Sequence, residues 1–220
     1  MTRPPDEDMH QAIMLDDDAA VGEIVADVPD AAQAHDEVSP ILTALYRARH
    51  DPLAALLASH PALTADEAAA LGDVAALRAH LDRDPDAVRR YAVDGETLLH
   101  RAAQFGRTEV CALLLDRGAD ANAYSKNAEE VAPIHAAIGG RQYHVVPLLL
   151  DRGANVDAQE THGFTPLHQA AALDLRDLAD LLLDRGANPT VEADEGRTPA
   201  DIAYLAENDD LARYLRSLER

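Results

Sequence analysis

The chain has 220 residues, of which 47% are hydrophobic, enough to build one large domain or an elongated array. Its formal net charge of −21 disfavours binding to nucleic acids or anionic membranes and favours a neutral or basic protein partner. Cys111 is the single cysteine, which excludes an internal disulfide, and no apolar stretch approaches the roughly 18 residues of a membrane span. No secretory leader is visible, so we expect a cytoplasmic location.

Residues 1–8 are expected to be a disordered lead to a series of similar segments. The segments follow a pattern that is clearest later in the chain, where His100, His135 and His168 stand 35 and then 33 residues apart. A fixed period of this size predicts a stacked repeat array. Residues 9–38 match the pattern weakly, and we interpret them as a degenerate first copy.

The next two copies are assigned to residues 39–63 and 64–91. The step between their equivalent positions, Leu42 and Asp66, is only 24 residues, so we expect the connecting hairpin to be deleted there. A gap-free alignment with the later copies places Asp66 at the position of His100.

Three strong copies follow at residues 92–124, 125–158 and 159–191. In the last of these, Thr165 is predicted to cap a helix with its hydroxyl, and Pro166 is predicted at the first helical position, where no backbone donor is needed. The second of these copies is extended before its turn, which predicts a longer finger.

An apolar second helix in each strong copy ends in the residues Leu-Asp-Arg-Gly. We predict that these glycines end their helices in the left-handed conformation. The three glycines are Gly118, Gly153 and Gly186.

The last copy is assigned to residues 192–220, where Asp201 replaces the histidine. Its second helix is predicted over Asp210 to Ser217 and carries Arg213 and Arg216. Because a terminal repeat needs a polar outer face, we interpret this copy as a cap.

These features resemble the ankyrin repeat, whose signature T-P-L-H-x-A appears in full at residues 165–170. The resemblance implies an all-α solenoid of about seven helix pairs with short β-hairpin fingers. It also implies that His168 hydrogen-bonds to its own turn and to the neighbouring repeat.

Ankyrin proteins usually bind partner proteins through the fingers and the exposed side of the first helices, which together form a concave face. Carried onto this chain, the finger positions are Tyr91, Glu96, Tyr124, Lys126, Asn127, Glu160, His162 and Phe164. The helix positions are Arg101, Gln104, Phe105, Ile138, Gln169 and Leu173. Aromatic, aliphatic and arginine side chains are enriched at protein interfaces, which favours a binding role for these positions. Alternatively, Tyr124 and Phe164 pack against the neighbouring finger.

No catalytic, cofactor or metal site is predicted. Histidines in successive helical layers lie about 8–10 Å apart, whereas zinc ligands lie about 2 Å from the ion, so the three histidines cannot share one. Cys111 occupies an apolar helix position, which predicts a buried, unreactive thiol.

We therefore expect a non-enzymatic, monomeric, protein-binding module without cofactors. Three alternatives remain: an inhibitor or immunity-type protein that blocks a basic target, a structural array that associates with itself, and an enzyme that uses the scattered histidines and aspartates.

Overall fold

The computed structural model describes residues 63–219, where the chain forms ten α-helices arranged in five consecutive pairs. They are α1 (Ala65–Leu71), α2 (Val74–Arg83), α3 (Leu98–Gln104), α4 (Thr108–Asp116), α5 (Pro133–Gly139), α6 (Val146–Asp151), α7 (Pro166–Ala172), α8 (Arg176–Asp184), α9 (Pro199–Leu205) and α10 (Asp209–Leu218). Short 3-10 segments lie at Pro85–Arg89, Tyr143–Val145 and Asp194–Gly196. The predicted lead and the copy at 9–38 lie outside the described residues, as does the copy at 39–63 except for its last residue.

The odd-numbered helices are the first helices of the pairs, and they pack side by side along the stack. Each begins at a defined cap. Thr165 caps α7: its hydroxyl accepts a hydrogen bond from His168 N at 3.4 Å, and Pro166 is the first helical residue, as predicted. The middle repeat has Ala132 at the cap, which lacks a hydroxyl, and here Pro133 begins the helix.

The predicted glycine ends of the second helices are confirmed. Gly118, Gly153 and Gly186 have φ angles of 87°, 90° and 91°. Residues other than glycine rarely adopt this left-handed backbone conformation. It turns the chain away from the helix axis directly after each helix.

The core runs through the stack as rows of equivalent apolar residues. Leu114, Leu149 and Leu182 of successive second helices are fully buried. Paired alanines of the first helices, such as Ala102 and Ala103, are also fully buried, and their small side chains let neighbouring helices approach closely. The low aromatic content of the sequence fits this Ala- and Leu-based packing.

The first described repeat differs from its predicted alignment by one residue. Thr64 N donates to Glu67 Oε2 at 2.8 Å, and Glu67 N donates to Thr64 Oγ1 at 3.2 Å. Glu67, rather than Asp66, therefore takes the place of His100. The gap-free alignment was wrong because the segment between the cap residue and the turn glycine is one residue shorter at α1 than at α3.

The last pair is polar on one helix and apolar on the other. Helix α10 spans one residue more at each end than predicted and exposes Arg213 and Arg216. Helix α9, however, leaves 61% of Tyr204 and 58% of Leu205 exposed. The equivalent of Tyr204 in the preceding repeat, Ala171, is fully buried. The polar side chains on which the cap interpretation rests thus lie on α10, whereas α9 exposes apolar ones.

Isolated antiparallel bridges close two of the fingers, Tyr91 with Thr97 and Ala193 with Arg197, and residues 63–219 contain no extended strand. Backbone hydrogen bonds also join each finger to the next. Lys126 N donates to Gly95 O at 2.8 Å, Thr161 N to Glu129 O at 3.2 Å, and Asp194 N to His162 O at 3.0 Å. None of the described helices is long and apolar enough to cross a membrane.

Replacing Leu114 by alanine should cost about 2–5 kcal/mol of unfolding free energy through lost burial and a cavity between neighbouring repeats. Leu205→Ala is the matched control, since this leucine is 58% exposed, and it should change stability by less than about 0.5 kcal/mol. Urea unfolding of both variants measures the difference. Equal losses would show that the row of second-helix leucines does not hold the stack together.

Candidate protein-binding face

The exposed sides of the first helices and the fingers beside them form a continuous surface, called here the first-helix face. Equivalent positions repeat along it, because each first helix begins at the same kind of cap. The position four residues after the histidine is Gln104, Gly139, Ala172 and Leu205 in successive repeats. Three of the four repeats described from α3 to α9 carry the histidine itself.

The histidines tie each repeat to the next. In α3, α5 and α7 the Nδ1 atom accepts a hydrogen bond from the backbone N–H of the cap residue, at 3.2, 3.3 and 3.1 Å. The Nε2 atom then carries the proton and donates to a carbonyl of the following finger. These donations join His100 to Val131 O at 2.9 Å, His135 to Phe164 O at 3.2 Å and His168 to Arg197 O at 3.0 Å. The predicted role of His168 is confirmed.

This arrangement needs neutral imidazoles. Burial lowers the pKa of His100, His135 and His168, and it lowers the pKa of His135 to about 4. Backbone carbonyls that accept from Nε2 oppose the shift only in part.

Arg101 was predicted on the exposed side of α3, and this is wrong: only 1% of the residue is exposed. Its guanidinium forms hydrogen-bonded ion pairs with Glu96 at 2.8 Å and with Asp94, and it lies 3.8 Å from Asp66. Burial raises the pKa of Asp66, while the charge of Arg101 lowers it. Arg101 and Glu96 thus lock a finger onto two helices.

Ile138 was also placed on the exposed side of α5, and this too is wrong because it is fully buried. It stands at the position that Ala103 and Ala171 occupy in neighbouring repeats, and these alanines are buried as well. The position packs between repeats rather than facing solvent.

Several predicted finger residues contact one another. The Lys126 ammonium lies 4.0 Å from the centre of the Tyr91 ring, a cation–π geometry. Asn127 Oδ1 accepts from the Ser125 hydroxyl at 2.7 Å and from Glu129 N at 3.2 Å, so it shapes the longer finger.

Phe164 is half-buried, with its ring centre 5.3 Å from that of His168. Phe105 and Gln104 are half-buried at the end of α3. Among the predicted residues, Tyr124 is 40% exposed and Leu173 is 44% exposed. Lys126 and His162 are also exposed.

The remaining three predicted residues, Glu160, His162 and Gln169, each lie near an acidic side chain. Gln169 Nε2 donates to Glu160 Oε2 at 3.5 Å, and His162 Nδ1 lies 3.3 Å from Asp194 Oδ2. Burial raises the pKa of Glu160, and repulsion from Glu129 raises it further.

Comparison with known proteins agrees with this geometry. A family model described as "Ankyrin repeats (3 copies)" matches residues 66–160 and 119–193, which together make up more than half of the chain. The chain belongs to the ankyrin repeat family.

Similar proteins come from both animals and plants. The Neurogenic locus Notch protein of Drosophila melanogaster is 42% identical over 80 residues, 36% of this chain and 3% of that protein. The B-cell lymphoma 3 protein homolog of Mus musculus is 40% identical over 88 residues, 40% of this chain and 19% of that protein. A probable E3 ubiquitin-protein ligase of Oryza sativa subsp. japonica is 41% identical over 105 residues, 47% of this chain and 23% of that protein. The chain spans less than a quarter of the length of each of these relatives.

Two features of the ankyrin face were missed from the sequence. Glu129 and Glu160 border a cavity of about 370 Å³ between two fingers, together with Thr161 and His162. Gly139 lies exposed at the end of α5, and a Cβ built there would meet no heavy atom within 4 Å. The adjacent Gly-Gly pair in the sequence signalled a special backbone position, but not which glycine leaves open space.

The histidines, acidic residues and cysteine of the described part of the chain are spread apart. Within residues 63–219, no group of three or more His, Cys, Asp or Glu side chains is placed to hold a metal ion. Cys111 is fully buried, as predicted, and burial raises the pKa of its thiol to about 12, so it is protonated at neutral pH.

Removing the Arg101 charge should destabilise the stack strongly, because three carboxylates would lose their shared cation. We expect Arg101→Leu to cost about 3–5 kcal/mol. The control is Arg117→Leu, whose exposed pair with Asp82 at 2.9 Å should contribute less than about 1 kcal/mol. Urea unfolding at neutral pH gives both values, and a small loss for Arg101→Leu would refute the locking role.

The histidines predict a pH dependence. The unfolded chain binds a proton to His135 below its ordinary pKa of 6.5, whereas the folded chain does so only near a pKa of about 4. Stability is therefore fully present above pH 6.5 and falls as the pH drops between these values. His135→Gln keeps an N-capping side chain, and it should reduce the loss between about pH 7.5 and about pH 5.5 by roughly 1 kcal/mol.

Leu205→Ala is the control for this experiment, since that side chain is exposed and carries no ionisable group. It should leave the pH dependence of the unfolding free energy as it is in the parent. If His135→Gln also leaves it unchanged, His135 does not have to lose a proton on folding.

Proposed function

We propose that this protein is a scaffold or adaptor that recognises a partner protein through the concave face of its ankyrin array, here the first-helix face. The observation that carries the proposal is the exposure of Leu173 and Tyr124 beside fingers that are fixed in place by backbone and histidine hydrogen bonds. A surface that is ordered before binding loses less conformational entropy on association.

The proposal involves no chemistry of the chain's own. The match to a probable E3 ubiquitin-protein ligase covers 23% of that protein, so its activity gives no reason to assign catalysis here. We also propose a monomeric chain in the cytoplasm, with a neutral or basic partner, in keeping with the net charge of −21.

Replacing the exposed side chains of Tyr124 and Leu173 by alanine tests the proposal. A tagged chain recovers its partner from the native host, and mass spectrometry identifies it. The double variant Tyr124→Ala/Leu173→Ala should then weaken binding of the purified partner at least tenfold, about 1.4 kcal/mol, in a calorimetric titration. Its melting temperature should stay close to that of the parent, since both side chains are well exposed.

Leu218→Ala is the matched control, because this leucine is 40% exposed on α10, a second helix. It should bind as the parent does. Unchanged binding by the double variant would overturn the proposal. The partner's effect distinguishes the alternatives: loss of the partner's own activity on binding indicates an inhibitor, and concentration-dependent sedimentation of the chain alone indicates a self-associating array.

A further inference from the structure

We propose that the first-helix face binds a basic amphipathic segment of its partner protein. The apolar side chains of this segment contact helices α5 to α9, and its arginine or lysine side chains lie towards the fingers. The inference rests on the proposed function and adds the chemistry of the partner. Three independent features of the face support it: an apolar floor, an opening at Gly139, and an acidic edge.

The floor of the face is apolar. Helices α5 and α7 consist of PIHAAIG and PLHQAAA, and neither contains an acidic or basic side chain other than the buried, neutral histidine. The side chains of α5 are buried, so the exposed apolar side chains come from residues beyond it. Leu173 follows α7 and is 44% exposed, and Leu205 ends α9 and is 58% exposed. Apolar side chains exposed in neighbouring repeats of one face mark an interaction surface.

The opening lies at Gly139, where the equivalent positions in other repeats carry Gln104, Ala172 and Leu205. The two adjacent glycines have different roles. A Cβ at Gly140 would lie 2.1 Å from Gln104 O, so Gly140 permits close packing of α3 and α5. A Cβ at Gly139 would touch nothing within 4 Å, so packing does not require this glycine, and the face is open there. A partner's apolar side chain fits this space between flanking side chains.

The acidic edge lies along the fingers. Glu129 and Glu160 border the cavity of about 370 Å³. Neither forms an ion pair with a lysine or arginine among residues 63–219. Glu160 is partly withdrawn from water and is repelled by Glu129, and both effects raise its pKa. A cationic side chain of the partner in the cavity would favour the ionised form of Glu160 and so offset both effects.

The occupant is more consistent with an organic cation than with a metal ion. No described group of three or more His, Cys, Asp or Glu residues is placed to hold a metal. Arg141, away from the fingers, is exposed and positively charged. The negative charge that a cationic partner would neutralise therefore lies at the finger edge. One apolar side and one basic edge define an amphipathic segment.

Two synthetic peptides of about 16 residues test the chemistry. Both carry leucines at helical spacing, and one carries arginines where the other carries glutamates. Fluorescence anisotropy should show binding of the arginine peptide and at least about tenfold weaker binding of the glutamate peptide. Raising the salt from about 50 mM to about 300 mM should weaken the arginine complex, because screening acts on exposed charge pairs.

Variants then locate the binding. Gly139→Leu fills the opening and should weaken the arginine peptide at least about tenfold, and Gly139→Gln, which copies the side chain of α3, should also weaken it. Glu129→Gln/Glu160→Gln should weaken binding and reduce its salt dependence. Ala75→Leu and Glu109→Gln, at exposed positions of second helices, are the controls and should stay within about twofold of the parent. Circular dichroism melts verify folding of each variant.

The inference fails if both peptides bind equally, if neither binds, or if the controls weaken binding as much as the site variants. The identified native partner separates this failure from that of the proposed function. If Gly139→Leu weakens that partner while salt and the double glutamine variant have no effect, the face binds proteins but does not select basic ones. If Tyr124→Ala/Leu173→Ala and all the site variants leave the native partner unaffected, the proposed function fails as well.

Discussion

A histidine hydrogen bond from each strong repeat to the next is the interaction on which the structure depends. His135 Nε2 donates to Phe164 O, so one repeat's buried donor is satisfied only when the following finger is in place. An unsatisfied buried donor costs about 1–3 kcal/mol. Fingers also hydrogen-bond directly to their neighbours, as Lys126 N does to Gly95 O. Each repeat is therefore stabilised by its neighbours in the stack, and the first-helix face is ordered as a single surface.

The predictions that the structure confirms concern features that a few neighbouring residues determine. The cap at Thr165 and the left-handed glycine Gly186 depend on a few adjacent residues, and the structure has both as predicted. The gap-free alignment missed the position of Glu67. The segment between the cap and the turn glycine is one residue shorter at α1 than at α3, so aligning the turn shifts the cap. The capping bonds between Thr64 and Glu67 fix the correct register, and the T-x-x-E pattern of residues 64–67 was the sequence signal for them.

The candidate site was less predictable, because equivalent repeat positions meet different surroundings. Arg101 and Gln169 share one position in their repeats, and both were predicted to be exposed. Only the α3 repeat places Glu96 and Asp94 on the finger beside it, and these carboxylates draw the guanidinium inward. Burial at such a position depends on the finger's contacts rather than on the helix pattern. Tyr124 on its finger and Leu173 after α7 carry no charge that such carboxylates would attract, and they are exposed.

Stability and recognition are separable in this array, and the glycine pair at the end of α5 shows why. Gly140 lies against the backbone of α3, where a side chain would prevent the two repeats from meeting. Gly139, one residue earlier, has no such neighbour, and a glycine within a helix costs up to about 1 kcal/mol relative to alanine. The packing therefore gives no reason for glycine at this position, whereas an open binding surface does. The buried rows of leucine and alanine hold the repeats in register, which leaves the side chains of the first-helix face free to vary with the partner.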